Sequence, residues 1–190
     1  MAPDTPAEPP SPLVLRVLAG LEVGVFGGLL MLAWFVLDAW LRHEFLWKVP
    51  NLIASSVYGP LIFRRAFGLP TLAGIAIHTI SAGLIGMLFG LAMIRLPGPA
   101  RRTVYAFGAS FGWYWLGRTW LWNVISPLLP YYATTASLVM GHLLYAVSLA
   151  TFASRFHRLS RALAPPPPVP AADAVPASAI PVAPADPSEP

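Results

Sequence analysis

Four stretches of this chain are long and apolar, at about residues 14–37, 70–94, 103–122 and 133–152. Runs of that kind have few places to go. A bilayer core takes about 20 apolar residues as helix. Inside it every backbone N–H and C=O has to be satisfied within the segment or its neighbours, which favours helices. The expected fold is all-α: an integral membrane protein whose four-helix transmembrane bundle occupies residues 13–163.

Charge patterning supports the same reading. All twelve Lys and Arg lie between residues 11 and 163, with only Glu22, Asp38 and Glu44 as acids in that stretch. Twelve minus three leaves a formal charge of +9 on the membrane section. In a soluble domain such an excess points to nucleic acid. Here the basic residues flank apolar runs, where they meet anionic head groups and fix orientation, so no nucleic-acid partner is expected. Cysteine is absent, which excludes disulfides, thiolate metal sites and cysteine nucleophiles.

Outside the four runs the chain changes character. Residues 1–12 hold five prolines, and residues 164–190 are almost entirely Pro, Ala and Val. Both compositions predict disordered tails. The N-terminus lacks the basic n-region and short h-region of a cleaved signal, so the first run reads as a retained span.

Residues 38–48 are amphipathic and aromatic, as at a helix end emerging into head groups. The following segment, 49–63, is apolar but interrupted by Pro50, Asn51 and Pro60. It is too short to span. It reads as a short interfacial helix or as a re-entrant piece, with Asn51 as N-cap and Gly59-Pro60 as the stop.

Four crossings put both termini on one side. Arg95, Arg101 and Arg102 lie between the second and third runs, whereas residues 123–132, between the third and fourth, carry no Lys or Arg. The positive-inside rule then places both termini in the cytoplasm of a bacterial-type inner membrane. Trp40, Trp47, Trp120, Trp122, Tyr131 and Tyr132 form the aromatic belt on the far face.

Ionisable groups within spans mark candidate sites. His78 and His142 each fall eight or nine residues into their spans, about 12–13 Å from the helix ends at 1.5 Å per residue. Spans two and four run the same way, so the two rings reach equal depth. One reading is structural: each imidazole ties helices together through a hydrogen bond to a hydroxyl or a carbonyl, with Tyr145, Ser81 and Thr79 as available partners. The other two are a bis-His haem or metal site and proton handling. Asp38 and Arg118 fall near the outer end, either paired across the bundle or reaching the head groups separately. Glu22, near the inner end, either pairs with a basic residue or couples an ion. Small residues at spacing four occur as Gly20/Gly24/Gly28, Ala82/Gly86/Gly90 and Gly108/Gly112. Such faces let helices approach closely.

No G-x-S-x-G, H-E-x-x-H or phosphate-binding glycine loop is present, and no enzyme is expected. The first expectation is a non-catalytic scaffold or accessory subunit in the bilayer, packing against itself or a membrane partner. The alternatives are a small transporter or channel subunit using Glu22, Asp38, Arg118, His78 and His142, and a bis-His haem or metal protein.

Overall fold

A computed structural model describes residues 10–93 and 98–164. The tails at 1–9 and 165–190, with Arg95 in the turn after the second run, lie outside the described residues.

The described chain is helical throughout, without strands. Its helices are α1 (Pro12–Leu41), α2 (Lys48–Tyr58), α3 (Leu69–Ala92), α4 (Pro99–Leu116), α5 (Trp122–Ile125), α6 (Leu129–Tyr132), α7 (Thr135–Ala150) and α8 (Phe152–Ala162). A π-helical turn, Gly117–Leu121, joins α4 to α5 without a break.

Local chemistry sets the ends. The Ser11 hydroxyl accepts from the Val14 N–H at 3.4 Å, and Pro12 opens α1 with the φ a first turn requires. His43, at φ 55°, takes the left-handed conformation that closes α1. Thr134 caps α7 through the Ser137 N–H at 3.3 Å. Gly59, at φ 84°, ends α2 ahead of Pro60.

Three helices are long and apolar enough to cross a membrane: Pro12–Leu41, Leu69–Ala92 and the α7–α8 unit Thr135–Ala162. At 1.5 Å per residue, the 30 residues of α1 and the 24 of α3 rise about 45 and 36 Å, against a hydrocarbon core of about 30 Å. The third expected run, 103–122, falls on α4 and the π turn. Its helix opens on Arg101 and Arg102 and is rich in Tyr and Trp rather than aliphatic residues.

Central α1 packs against α3, α7 and α8, and α4 packs on α7. The order α3–α1–α7–α4 is a curved row whose two end helices do not close face to face. The glycine stripes explain the tightest contact. A Cβ on Gly20 would lie 2.3 Å from the Gly86 carbonyl oxygen, and one on Gly24 would lie 2.5 Å from that of Ala82. A Cβ on Gly90 would lie 2.4 Å from the Arg16 carbonyl oxygen. Thus Gly20/Gly24/Gly28 meets Ala82/Gly86/Gly90 inside one chain, with the helices antiparallel. Gly108 and Gly112 differ: a Cβ on either would meet nothing within 4 Å.

The segment after α1 departs from expectation. Asn51 does not cap α2; the helix begins three residues earlier, and Asn51 is fully buried. Its amide donates to the Arg65 carbonyl at 2.8 Å and its side-chain oxygen accepts from Thr71 Oγ1 at 2.7 Å. The amide is spent on tertiary contacts because α2 lies against α3 backbone to backbone. A Cβ on Gly74 would sit 1.9 Å from the Pro50 carbonyl oxygen.

Candidate functional site

Side-chain donors on one helix seek backbone carbonyls on another throughout this bundle. Trp34 Nε1 donates to Ser137 O at 3.0 Å, Ser148 Oγ to Val23 O at 2.7 Å, and Ser110 Oγ to His142 O at 2.7 Å. Where water is scarce such bonds tie helices together, each contributing about 1 kcal/mol.

His78 follows the same rule, whereas His142 bonds within its own helix. Neither ring bonds Tyr145, Ser81 or Thr79. His78 Nε2 lies 3.2 Å from Gly28 O on α1, and His142 Nδ1 lies 2.8 Å from Leu138 O, one turn back on α7. The reason is geometric. The Gly28 carbonyl is uncovered because its residue has no side chain, and Thr79 spends its hydroxyl on Ile75 O at 2.8 Å. Tyr145 donates its hydroxyl to Ala82 O at 2.6 Å, from α7 to α3.

These three side chains converge on one cavity of about 360 Å³ between the ends of the helix row. Met31 and Phe35 of α1, Ile77 and Ser81 of α3, Trp122 of α5 and Leu138 of α7 share its wall. His142 and Tyr145 are almost fully buried, at 3% and 2% exposure. The His142 ring stands edge-on to Tyr114, centroids 5.1 Å apart, and 6.4 Å from Trp122; His78 lies 6.3 Å from Phe35. One end of the cavity is covered by α2 through Val49, Ile53 and Ser56. Ser126 Oγ fastens α2 there, donating to Leu52 O at 2.7 Å and lying 3.2 Å from Ser55 Oγ. The other end continues at Ile85 and Leu88 into an open groove of about 770 Å³ between α3 and α4 that reaches Arg101 and Tyr105.

The remaining candidates stand apart. Glu22 is bound by two α8 residues, Arg155 Nη1 at 3.1 Å and Arg158. Asp38 pairs with Arg42 one turn on, at 2.9 Å, not with Arg118. That contact and the aspartate's charge raise the Arg42 guanidinium above its usual range. Arg118 sits in the π turn, its Nη1 buried without a hydrogen-bond partner among the described residues. None of the three charged residues lines the cavity. No group of three or more His, Cys, Asp or Glu among the described residues is arranged to hold a metal ion.

Sequence reasoning missed the aromatic wall and the cover. Trp122 carries no signal separating a belt residue from a cavity wall, and the contact between α2 and Ser126 spans 74 residues.

No protein-family model, curated protein or solved structure matches this chain.

Proposed function

We propose that this chain is a non-catalytic, multi-pass membrane protein that binds a small lipophilic molecule within its bundle. In this reading α4 with its π turn also crosses, as the third of four spans, both termini are cytoplasmic, and α2 lies at the outer interface as a cover.

One observation carries the proposal: an apolar cavity between α3 and α7 into which His78, His142 and Tyr145 converge. A mostly apolar hollow with a few placed polar groups is the usual form of a small-molecule site, and about 360 Å³ falls in the lower part of the range for such sites. In this reading the groove beside it, between α3 and α4, faces lipid. A ligand dissolved in the bilayer enters by that route.

The charge positions favour this over ion transport. Glu22 is held by α8 and Asp38 by Arg42, so neither extends a polar path through the histidines.

The test is extraction of the membrane-purified protein into organic solvent, followed by mass spectrometry. Wild type yields a stoichiometric lipophile. Ile85→Trp, which fills the junction of cavity and groove, yields about tenfold less while remaining folded. Equal recovery from both proteins sinks the reading. An absorption spectrum of the same sample addresses the bis-His alternative: a Soret band lost in His142→Ala would replace a dissolved lipophile by haem.

A further inference from the structure

The hydrogen atoms around the cavity are already allocated, and that allocation selects a ligand. A carbonyl oxygen can only accept. The nitrogen His78 turns toward Gly28 O must therefore carry a hydrogen, and so must the nitrogen His142 turns toward Leu138 O. Each ring then presents its other nitrogen, Nδ1 of His78 and Nε2 of His142, as a lone pair without a partner among the described residues. Tyr145 has likewise given its hydroxyl hydrogen to Ala82 O, leaving its oxygen to accept. No Asp or Glu lines the cavity, so a second proton on either ring would be a buried charge without a counter-ion.

Ser81, Trp113 and Trp122, each of which carries a donor, line the same space. Ser126 has spent its hydroxyl on Leu52 O. A compound bearing only carbonyl or ether oxygens meets these donors but leaves both imidazole nitrogens unpaired. A hydroxyl pairs with a ring nitrogen and still accepts from a donor through its own oxygen.

Resting on the lipophile-binding reading above, we infer that the ligand is a lipophilic hydroxy compound. Its ring-sized, hydroxyl-bearing head gives a hydrogen to His78 Nδ1 or His142 Nε2, and its hydrocarbon tail runs past Ile85 and Leu88 into the groove between α3 and α4. Cavity and groove share those two residues, so head and tail fit one continuous apolar path. Specificity comes from the cost of covering an acceptor with a ligand that cannot pair with it, which corresponds to about tenfold or more in affinity.

The probes are 4-nonylphenol and its O-methyl ether, which differ in the hydrogen and one methyl. Binding is measured by calorimetry on the full chain in detergent. The wild type is expected to bind the phenol at least about tenfold more tightly than the ether. His142→Phe, which loses a bond only to its own helix, brings the two probes within about threefold while keeping helix content and a monodisperse elution. Ile85→Trp weakens both probes alike, separating site binding from partition into the micelle. Equal affinities in the wild type overturn the hydrogen-donor inference and leave the lipophile site standing. Failure of folded wild type to bind either probe overturns the site itself. A phenol preference undiminished in both His142→Phe and His78→Leu also overturns the inference, since the acceptors would then lie elsewhere.

Discussion

A Cβ on Gly74 would lie 1.9 Å from the Pro50 carbonyl oxygen, whereas a Cβ on Gly108 or Gly112 would meet nothing within 4 Å. The two situations predict opposite outcomes from one substitution. Gly74→Ala drives backbone against backbone, where no rotamer change relieves the contact. It should cost about 1–3 kcal/mol or more and lift α2 from α3. Gly108→Ala and Gly112→Ala add only helix propensity, a gain of up to about 1 kcal/mol each. Thermal unfolding in detergent should show the first melting lower and the other two unchanged or higher. A drop on Gly108→Ala in the monomer would mean that face is packed. The three small-residue stripes are indistinguishable in sequence, because spacing four reports a shared helix face and not what lies opposite. Two of them meet across α1 and α3, and the third has no neighbour within the described chain. The histidines divide similarly. Equal depth in two parallel spans was legible, but their carbonyl partners were not, since every helical residue offers a carbonyl and only tertiary placement uncovers one.

At the scale of elements, α8 and α2 are held by few and different contacts. Glu22 draws α8 against α1 through Arg155 and Arg158, with Arg16 over the Phe156 ring at 5.8 Å and Phe152 edge-on to Phe89 at 5.8 Å. The Glu22 side chain is a third exposed, so the pairing contributes little, about 0.2–1 kcal/mol. Glu22→Gln should leave the bundle intact yet raise amide exchange across residues 152–162, and wild type in about 1 M salt should behave the same way, because the Debye length there is about 3 Å. Unaltered exchange in both would assign the docking of α8 to its aromatic contacts alone. Asn51 presents the contrary case. Both ends of its amide are bonded in a fully buried position. Asn51→Ala orphans the Arg65 carbonyl and the Thr71 hydroxyl at about 1–3 kcal/mol per group. Protease accessibility at residues 59–68 should rise in that variant while α1, α3 and α7 remain protected. The element boundaries near Asn51 were misread because asparagine caps helices often enough to look like a cap wherever an apolar run follows. A 14-residue link to a carbonyl leaves no local pattern. The π turn at Gly117–Leu121 was equally invisible, since backbone hydrogen-bond register has no composition of its own.

For the molecule as a whole, the decisive quantity is the number of crossings. Three helices reach the length and hydropathy a bilayer requires, and α4 with its π turn and α5 forms a continuous aromatic rod of comparable length beside α7. Three crossings would leave the termini on opposite faces; four would leave them on one. The absence of cysteine makes this directly readable, because any introduced thiol is unique. Ser11→Cys and Leu163→Cys sit at the two ends of the described bundle, both at exposed positions, and Tyr131→Cys, 83% exposed, sits between α5 and α7. In intact cells a membrane-impermeant maleimide should label Tyr131→Cys alone, and permeabilisation should add the other two together. Labelling of only one terminal cysteine in intact cells would contradict the packing of α8 against the start of α1, which brings the two ends of the chain's bundle together. The proposed orientation rests on basic residues. Arg101 and Arg102 begin α4, and Arg155, Arg158 and Arg161 stud α8, which puts five of the chain's twelve Lys and Arg at the end carrying the C-terminus. Arg64 and Arg65 stand at the opposite end, anchored in part through the Arg65 carbonyl, and they are the residues to alter if labelling places Tyr131 inside. Arg64→Gln with Arg65→Gln strengthens the bias toward cytoplasmic termini if that orientation is native. It restores a mixed population to a single labelling pattern if the two arginines were opposing it.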